Sequence, residues 1–319
     1  MIVRGLHFSF AAHQDAALAT LYYPGDDQRL GEARLTGQVP ALATDAPWPV
    51  VVLAPGINVA PDGYRWLAHR LVPSGLCVVT YAAIGSLGPA GRGITPGLDL
   101  AALAPDTIGT RPSATALGPL LAALAEMSGA DDTAVAGHLD LSRVVVGGHS
   151  AGGAMALHNS DPGWVSGLQA VFAYAAHTMV ATTLGHGEAT VAPVPAKVPV
   201  MLLGGADDGV IAASRDRYRG DEGIHDPVRR TFAEAIDRQD GDSWLVELAD
   251  AGHFAICRPV DATSGRSFLE PGAAGANSGV GELLGDLIAA FTADSLGRPA
   301  ALSLERLVGH QLVQHWDRR

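Results

Sequence analysis

Gly148-His149-Ser150-Ala151-Gly152 is the segment of this chain best equipped for covalent chemistry. It follows the apolar run Val144-Val145-Val146-Gly147 and precedes the small, helix-compatible run Ala151–Leu157. A serine between two glycines at a strand-to-helix junction is forced into a tight, exposed turn, because the glycines remove the Cβ atoms that would collide there. The helix N-terminus behind it favours developing negative charge. Ser150 is therefore the candidate nucleophile.

A serine hydroxyl attacks poorly unless a base takes its proton and a third group orients that base. Two later segments offer those groups, each just past an apolar strand. Val200–Leu203 runs into Gly204-Gly205-Ala206-Asp207-Asp208-Gly209, and Trp244–Leu248 runs into Ala249-Asp250-Ala251-Gly252-His253-Phe254. His253 is the candidate base. Asp208 is favoured as the acid, through its Gly-x-x-Asp spacing from Gly205; Asp207 has the same spacing from Gly204 and is the runner-up. The order Ser, Asp, His suits a serine mounted on a parallel sheet. Acyl transfer also needs preset donors for an oxyanion. The amide of Ala151 and that of Ile57, after Pro55-Gly56, are the candidates.

These residues need strands to bring them together. Strands are expected at His7–Phe10 and Ala17–Tyr23 (an opening hairpin), Val50–Ala54, Leu76–Tyr81, Leu141–Gly147, Leu168–Tyr174, Val200–Leu203 and Trp244–Leu248. Helices are expected at Gly63–Leu71, from an N-cap at Thr110 to about Met127, and at Val280–Phe291 and Leu302–Val313. Such alternation predicts an α/β fold with a mostly parallel central sheet and helices on both faces. No repeat or linker divides residues 1–319, so a single domain is expected. Long loops at 82–110, 209–230 and 255–279 are placed around the site, with an extra C-terminal helix over 301–316. Within these, the charge-dense stretch Ser214–Arg230 reads as a solvated loop or a lid, and 255–279, rich in Gly and Ala, as a rim loop or a disordered segment.

Composition narrows the function. The chain has 319 residues, 48% hydrophobic and 17% charged, which is the make-up of a packed globular protein. A net charge of −12 argues against nucleic acid as a partner. No window has the length and apolarity of a membrane span, and no secretory signal is visible, so a cytoplasmic monomer or homodimer is expected. Two cysteines make no disulfide framework; Cys77 reads as core, and Cys257 lies four residues past His253. His149 reads as a support for the turn, and His177 as structural.

With these motifs in place, the chain resembles the α/β-hydrolases, and within them dienelactone-hydrolase-like, chlorophyllase-like and bacterial cutinase-like esterases. The resemblance is carried by Trp48–Gly56, Leu139–Arg143, Gly148–Gly153, Asp207/Asp208 and Gly252-His253, and spans roughly residues 1–295. It departs where many relatives carry His-Gly, since this chain has Ala54-Pro55-Gly56. Ser150 also replaces the thiol nucleophile of true dienelactone hydrolases. The resemblance implies hydrolysis of a small-molecule carboxylic ester, with neither metal nor organic cofactor. The same triad could serve a thioesterase, acyltransferase or lyase. A non-catalytic binding module on this scaffold is the third reading.

Overall fold

Residues 50–53, Val-Val-Val-Leu, are buried without interruption, which only a strand covered on both faces allows. In the computed structural model, which describes all residues except 13–14, 88–90, 215–216, 219–225, 262, 264–266 and 271–277, this strand lies inside a ten-stranded sheet. In chain order the elements are β1 (Ile2–Ala12), β2 (Asp15–Gly25), β3 (Trp48–Ala54), α1 (Arg65–Leu71), β4 (Cys77–Ser86) and β5 (Arg92–Thr95). Next come α2 (Leu117–Gly129), β6 (Leu139–His149), α3 (Ala151–His158), β7 (Leu168–Tyr174), β8 (Val200–Gly205) and α4 (Gly209–Ala213). The chain finishes with α5 (Pro227–Arg230), β9 (Trp244–Leu248), α6 (Ser278–Ser295), α7 (Leu304–Leu307) and β10 (Val313–Arg318).

The sheet order is β1-β2-β4-β3-β6-β7-β8-β9-β10, with β5 paired to β4 off this path. Strands β4, β3, β6, β7, β8 and β9 are mutually parallel. The opening hairpin β1–β2 is antiparallel and joins the sheet through an antiparallel β2–β4 pairing. Alternate residues of the central strands feed two separate cores. Val50, Val52, Val144 and Val146 pack with α2 and α3 on one face. Val51, Leu53, Val145 and Phe172 pack with α1 and α6 on the other. Helix α6 supplies Val280, Leu283, Leu284, Leu287, Ile288 and Phe291, an i, i+3, i+4, i+7 stripe. Each such side chain contributes about 1.5–3 kcal/mol on burial. The fold is thus α/β, mostly parallel, with helices on both faces and an N-terminal hairpin.

Three expectations are corrected. The C-terminal helix over 301–316 is a single turn, α7, followed by a strand. Ser303 caps that turn, its Oγ accepting from the Arg306 amide at 3.4 Å, and the helix ends before Gly309. The chain then reaches the free edge of β9, and β10 pairs with it antiparallel. An open edge of backbone donors and acceptors recruits a strand more strongly than helix propensity resists one. The segment 82–110 is not an unstructured loop: β4 runs on to Ser86 and turns back as β5, and a 3-10 turn follows at Leu100–Leu103. Helix α2 starts at Leu117 rather than after Thr110, because the amides of Ser113 and Ala114 are held by Asn159 Oδ1 at 3.0 and 3.1 Å. Parts of the loops 209–230 and 255–279 lie outside the described residues.

Candidate active site

Strand β6 ends in the turn that holds Ser150, and the local backbone there is strained. Ser150 has φ 54° and ψ −120°, a region that side-chain-bearing residues rarely enter. Two glycines make the turn possible. A Cβ on Gly148 would fall 2.2 Å from the carbonyl carbon of Gly152, and one on Gly152 would fall 2.3 Å from the carbonyl oxygen of Ala54. The Ser150 amide donates to the Tyr174 carbonyl at 3.0 Å, which ties the turn to β7. Ala151 opens α3, so its amide has no acceptor within the helix.

Asp208 and His253 meet past the ends of β8 and β9. Nδ1 of His253 lies 2.8 Å from Oδ2 of Asp208, and both side chains are 5% exposed. Asp208 uses its other oxygen to cap α4, accepting from the Ile211 amide at 2.7 Å. A carboxylate only accepts, so Nδ1 of His253 carries the proton and Nε2 offers a lone pair. Asp207 is exposed, with its amide donating to the Ala251 carbonyl. The backbone around His253 is itself gripped: Glu270 accepts from the His253 amide, and the Tyr174 hydroxyl donates to the Gly252 carbonyl. Burial raises the Glu270 carboxyl above its ordinary range.

Ser150, Ala151, Ile57 and His253 all line one cavity of about 590 Å³. Its apolar surface comes from residues such as Met179, Ile211 and Phe254; His177, Arg217 and Tyr218 also line it. Ile57 follows the turn at Gly56, and its amide has no hydrogen-bond partner among the described residues. The next residue is anchored twice: the Asn58 amide donates to the Ile94 carbonyl at 3.0 Å, and Asn58 Oδ1 accepts from the Ile94 amide at 3.1 Å. Strand β5 therefore fixes the loop that presents Ile57.

One buried relay joins the three loops of the site. Nε2 of His149 sits 2.9 Å from the carbonyl of His253, which can only accept, so Nε2 carries the imidazole proton. Nδ1 is then an acceptor, and it receives the Tyr64 hydroxyl at 2.9 Å. The Tyr64 oxygen in turn accepts the Gly56 amide at 3.0 Å. Burial, then the neighbouring His253, holds His149 well below the usual histidine range, which keeps it neutral and this proton pattern intact. Burial likewise pushes the Tyr64 hydroxyl up. Gly56, His149 and His253 are thereby linked without a water.

No family model matches the chain, and no curated protein matches it. Among solved structures, a ferulic acid esterase from Streptomyces cinnamoneus aligns with a TM-score of 0.55. The match covers 94% of this chain and 91% of that one, at 18% identity. The shared architecture is an α/β fold. At that identity the likeness is one of architecture, and the chemistry has to be argued from the residues.

Some of these residues carry no sequence signal. Tyr64 ends a 3-10 turn at Pro61–Tyr64 and belongs to no motif. Glu270 reaches His253 from a segment 17 residues further on. His177, read as structural, lines the cavity and partners Tyr218. Cys257 is buried, its Sγ 4.0 Å from Nδ1 of His149, and burial pushes its thiol up to about 12, so it is no nucleophile at neutral pH. Among the described residues no group of three or more His, Cys, Asp or Glu is placed to hold a metal ion. No described helix is long and apolar enough to cross a membrane.

Proposed function

We propose that the protein is a serine hydrolase of small-molecule carboxylic esters, working through Ser150, His253 and Asp208. His253 Nε2 takes the proton from Ser150, whose oxygen attacks the ester carbonyl carbon. The amides of Ile57 and Ala151 receive the oxyanion of the tetrahedral intermediate. His253 then passes its proton to the leaving alcohol, and an acyl-enzyme remains on Ser150. Water, deprotonated by His253, attacks that acyl group and releases the acid. Asp208 holds the imidazole in the required tautomer throughout.

The observation that carries this reading is the buried 2.8 Å bond between Asp208 and His253, on a cavity shared with a strained Ser150. A binding module would have no use for that combination. The esterase named among the structural neighbours agrees with it, as does the sequence resemblance to serine esterases. The test is turnover of p-nitrophenyl acyl esters. Ser150→Ala should lower kcat by at least about 10³-fold, and a fluorophosphonate should label the parent protein but not the variant. Undiminished turnover in the variant would remove Ser150 from the mechanism. An esterase should also show no dependence on an added thiol or alcohol acceptor, which separates it from an acyltransferase.

A further inference from the structure

The cavity differs in charge from the rest of the molecule. The chain carries 33 Asp and Glu against 21 Lys and Arg, yet no Asp or Glu is found among the described residues that line the cavity. Among the described lining residues the one that is permanently charged is a cation, Arg217. Several arginines elsewhere are met by carboxylates: Arg70 by Glu282 and Asp286, Arg229 by Asp226 and Glu247, Arg238 by Asp240 and Asp242. Arg217 has no ion-pair partner among the described residues.

A second donor lies beside it, and its direction can be worked out. The Met179 amide donates to Nδ1 of His177 at 3.2 Å, so Nδ1 is the bare nitrogen and Nε2 carries the proton. Nε2 lies 3.0 Å from the Tyr218 hydroxyl, which therefore accepts there and keeps its own hydrogen for another partner. Burial pushes His177 down to about 4, so the ring stays neutral and the tautomer holds at neutral pH. The His177 and Tyr218 rings meet edge-on at 5.0 Å, which fixes the phenol in place. Tyr218 and Arg217 are adjacent in sequence and both face the cavity. The guanidinium offers only hydrogens, the phenol, whose oxygen already accepts from His177, has its own hydrogen to give, and a guanidinium pairs most strongly with a planar anion.

We propose that Arg217 and Tyr218 bind a free carboxylate on the substrate, so that the preferred ester is one bearing a second, ionised acid group, such as a half-ester of a dicarboxylic acid. This rests on the serine-esterase reading for the bond that is cleaved, but the anion site stands apart from that chemistry. Apolar residues Met179 and Ile211 give the intervening hydrocarbon its surface. His177 acts through Tyr218, as a positioning residue.

Two measurements separate the claims. In the first, kcat/KM is compared for monomethyl adipate, suberate and sebacate and for the matching dimethyl esters. The parent protein should favour at least one half-ester by about 10-fold or more. Arg217→Gln should bring that ratio to about one, chiefly through KM, whereas Arg217→Lys should restore part of it. Tyr218→Phe should lower the ratio by a smaller factor. In the second, calorimetry follows binding of the free dicarboxylate (suberate) to Ser150→Ala protein. Saturable binding, weakened by salt and lost with Arg217→Gln, is expected. Hydrolysis without charge preference, or a ratio insensitive to Arg217, would overturn the inference while leaving the esterase reading standing. Binding of suberate without hydrolysis of any ester by the parent protein would do the reverse.

Discussion

A single hydroxyl has much of the site's geometry in its keeping. Tyr64 accepts from Gly56 and donates to His149, and His149 donates to the carbonyl of His253. Replacing Tyr64 by Phe keeps the ring and strands two buried partners, the Gly56 amide and Nδ1 of His149. Such losses cost about 1–3 kcal/mol in stability. The larger effect should fall on catalysis, because the relay sets the loop that presents Ile57 against the loop that presents His253. We expect Tyr64→Phe to lower kcat by roughly 10- to 100-fold with KM changed far less, in line with the cost of a small misplacement. Steady-state kinetics on p-nitrophenyl esters, with a melting curve as control, reads both. A variant with normal kcat would reduce the relay to a packing feature.

At the level of elements, the sheet's last edge shows how context overrides local pattern. Strand β10 lays Trp316 on Trp244, ring centroids 6.0 Å apart, and Arg318 over the same ring at 4.5 Å. Trp316→Ala should cost about 1–2 kcal/mol by chemical denaturation, and removing residues 310–319 should leave β9 an adhesive edge that light scattering detects as aggregation. An unshifted denaturation midpoint in Trp316→Ala would mean that the edge pairing, not the aromatic contact, holds β10. The same element marks the limit of reading from sequence. The inner strands were legible because burial on both faces demands unbroken apolar runs such as Val50–Leu53, and α6 because its stripe has helical spacing. Residues 301–316 have a pattern that fits a helix equally well; only the vacant edge of β9, formed by distant residues, makes the part from Val313 onward a strand. Ser150 was legible because Gly148 and Gly152 are needed by backbone contacts as close as 2.2 Å. Tyr64, Glu270 and Tyr218 were not, since any buried polar side chain can act at a distance in sequence. The strand β5 that anchors Asn58 was hidden for a different reason: its partner, Ala83–Ser86, extends β4 past Tyr81 into the Gly- and Pro-rich segment read as a loop.

For the molecule as a whole, acid stability is decided by buried groups of opposite sign. Burial pushes His158 and His177 down to about 4, and His149 well below the usual range. A folded-state value below the unfolded one means that the stabilisation is present above about 6.5 and is lost as pH falls toward 4. Glu247 works the other way. Burial raises it to about 7, with Asp226 adding to the effect although Arg229 grips both of its oxygens at 2.9 Å. Its contribution is full below the ordinary carboxylate value of 4.5 and fades as pH rises through 7. Three histidines outweigh the two raised glutamates, Glu247 and Glu270, so the melting temperature should decline from pH 6.5 to 4, above the range in which exposed carboxylates titrate. His158 is the cleaner probe, because unlike His149 and His177 it does not line the cavity: its shift from 6.5 to about 4 corresponds to about 3 kcal/mol. His158→Gln should flatten the decline by that order, while Glu247→Gln should steepen it by removing the opposing term. Melting temperatures at half-unit pH steps decide the matter; parallel curves for all three proteins would show that neither group is titrated by unfolding.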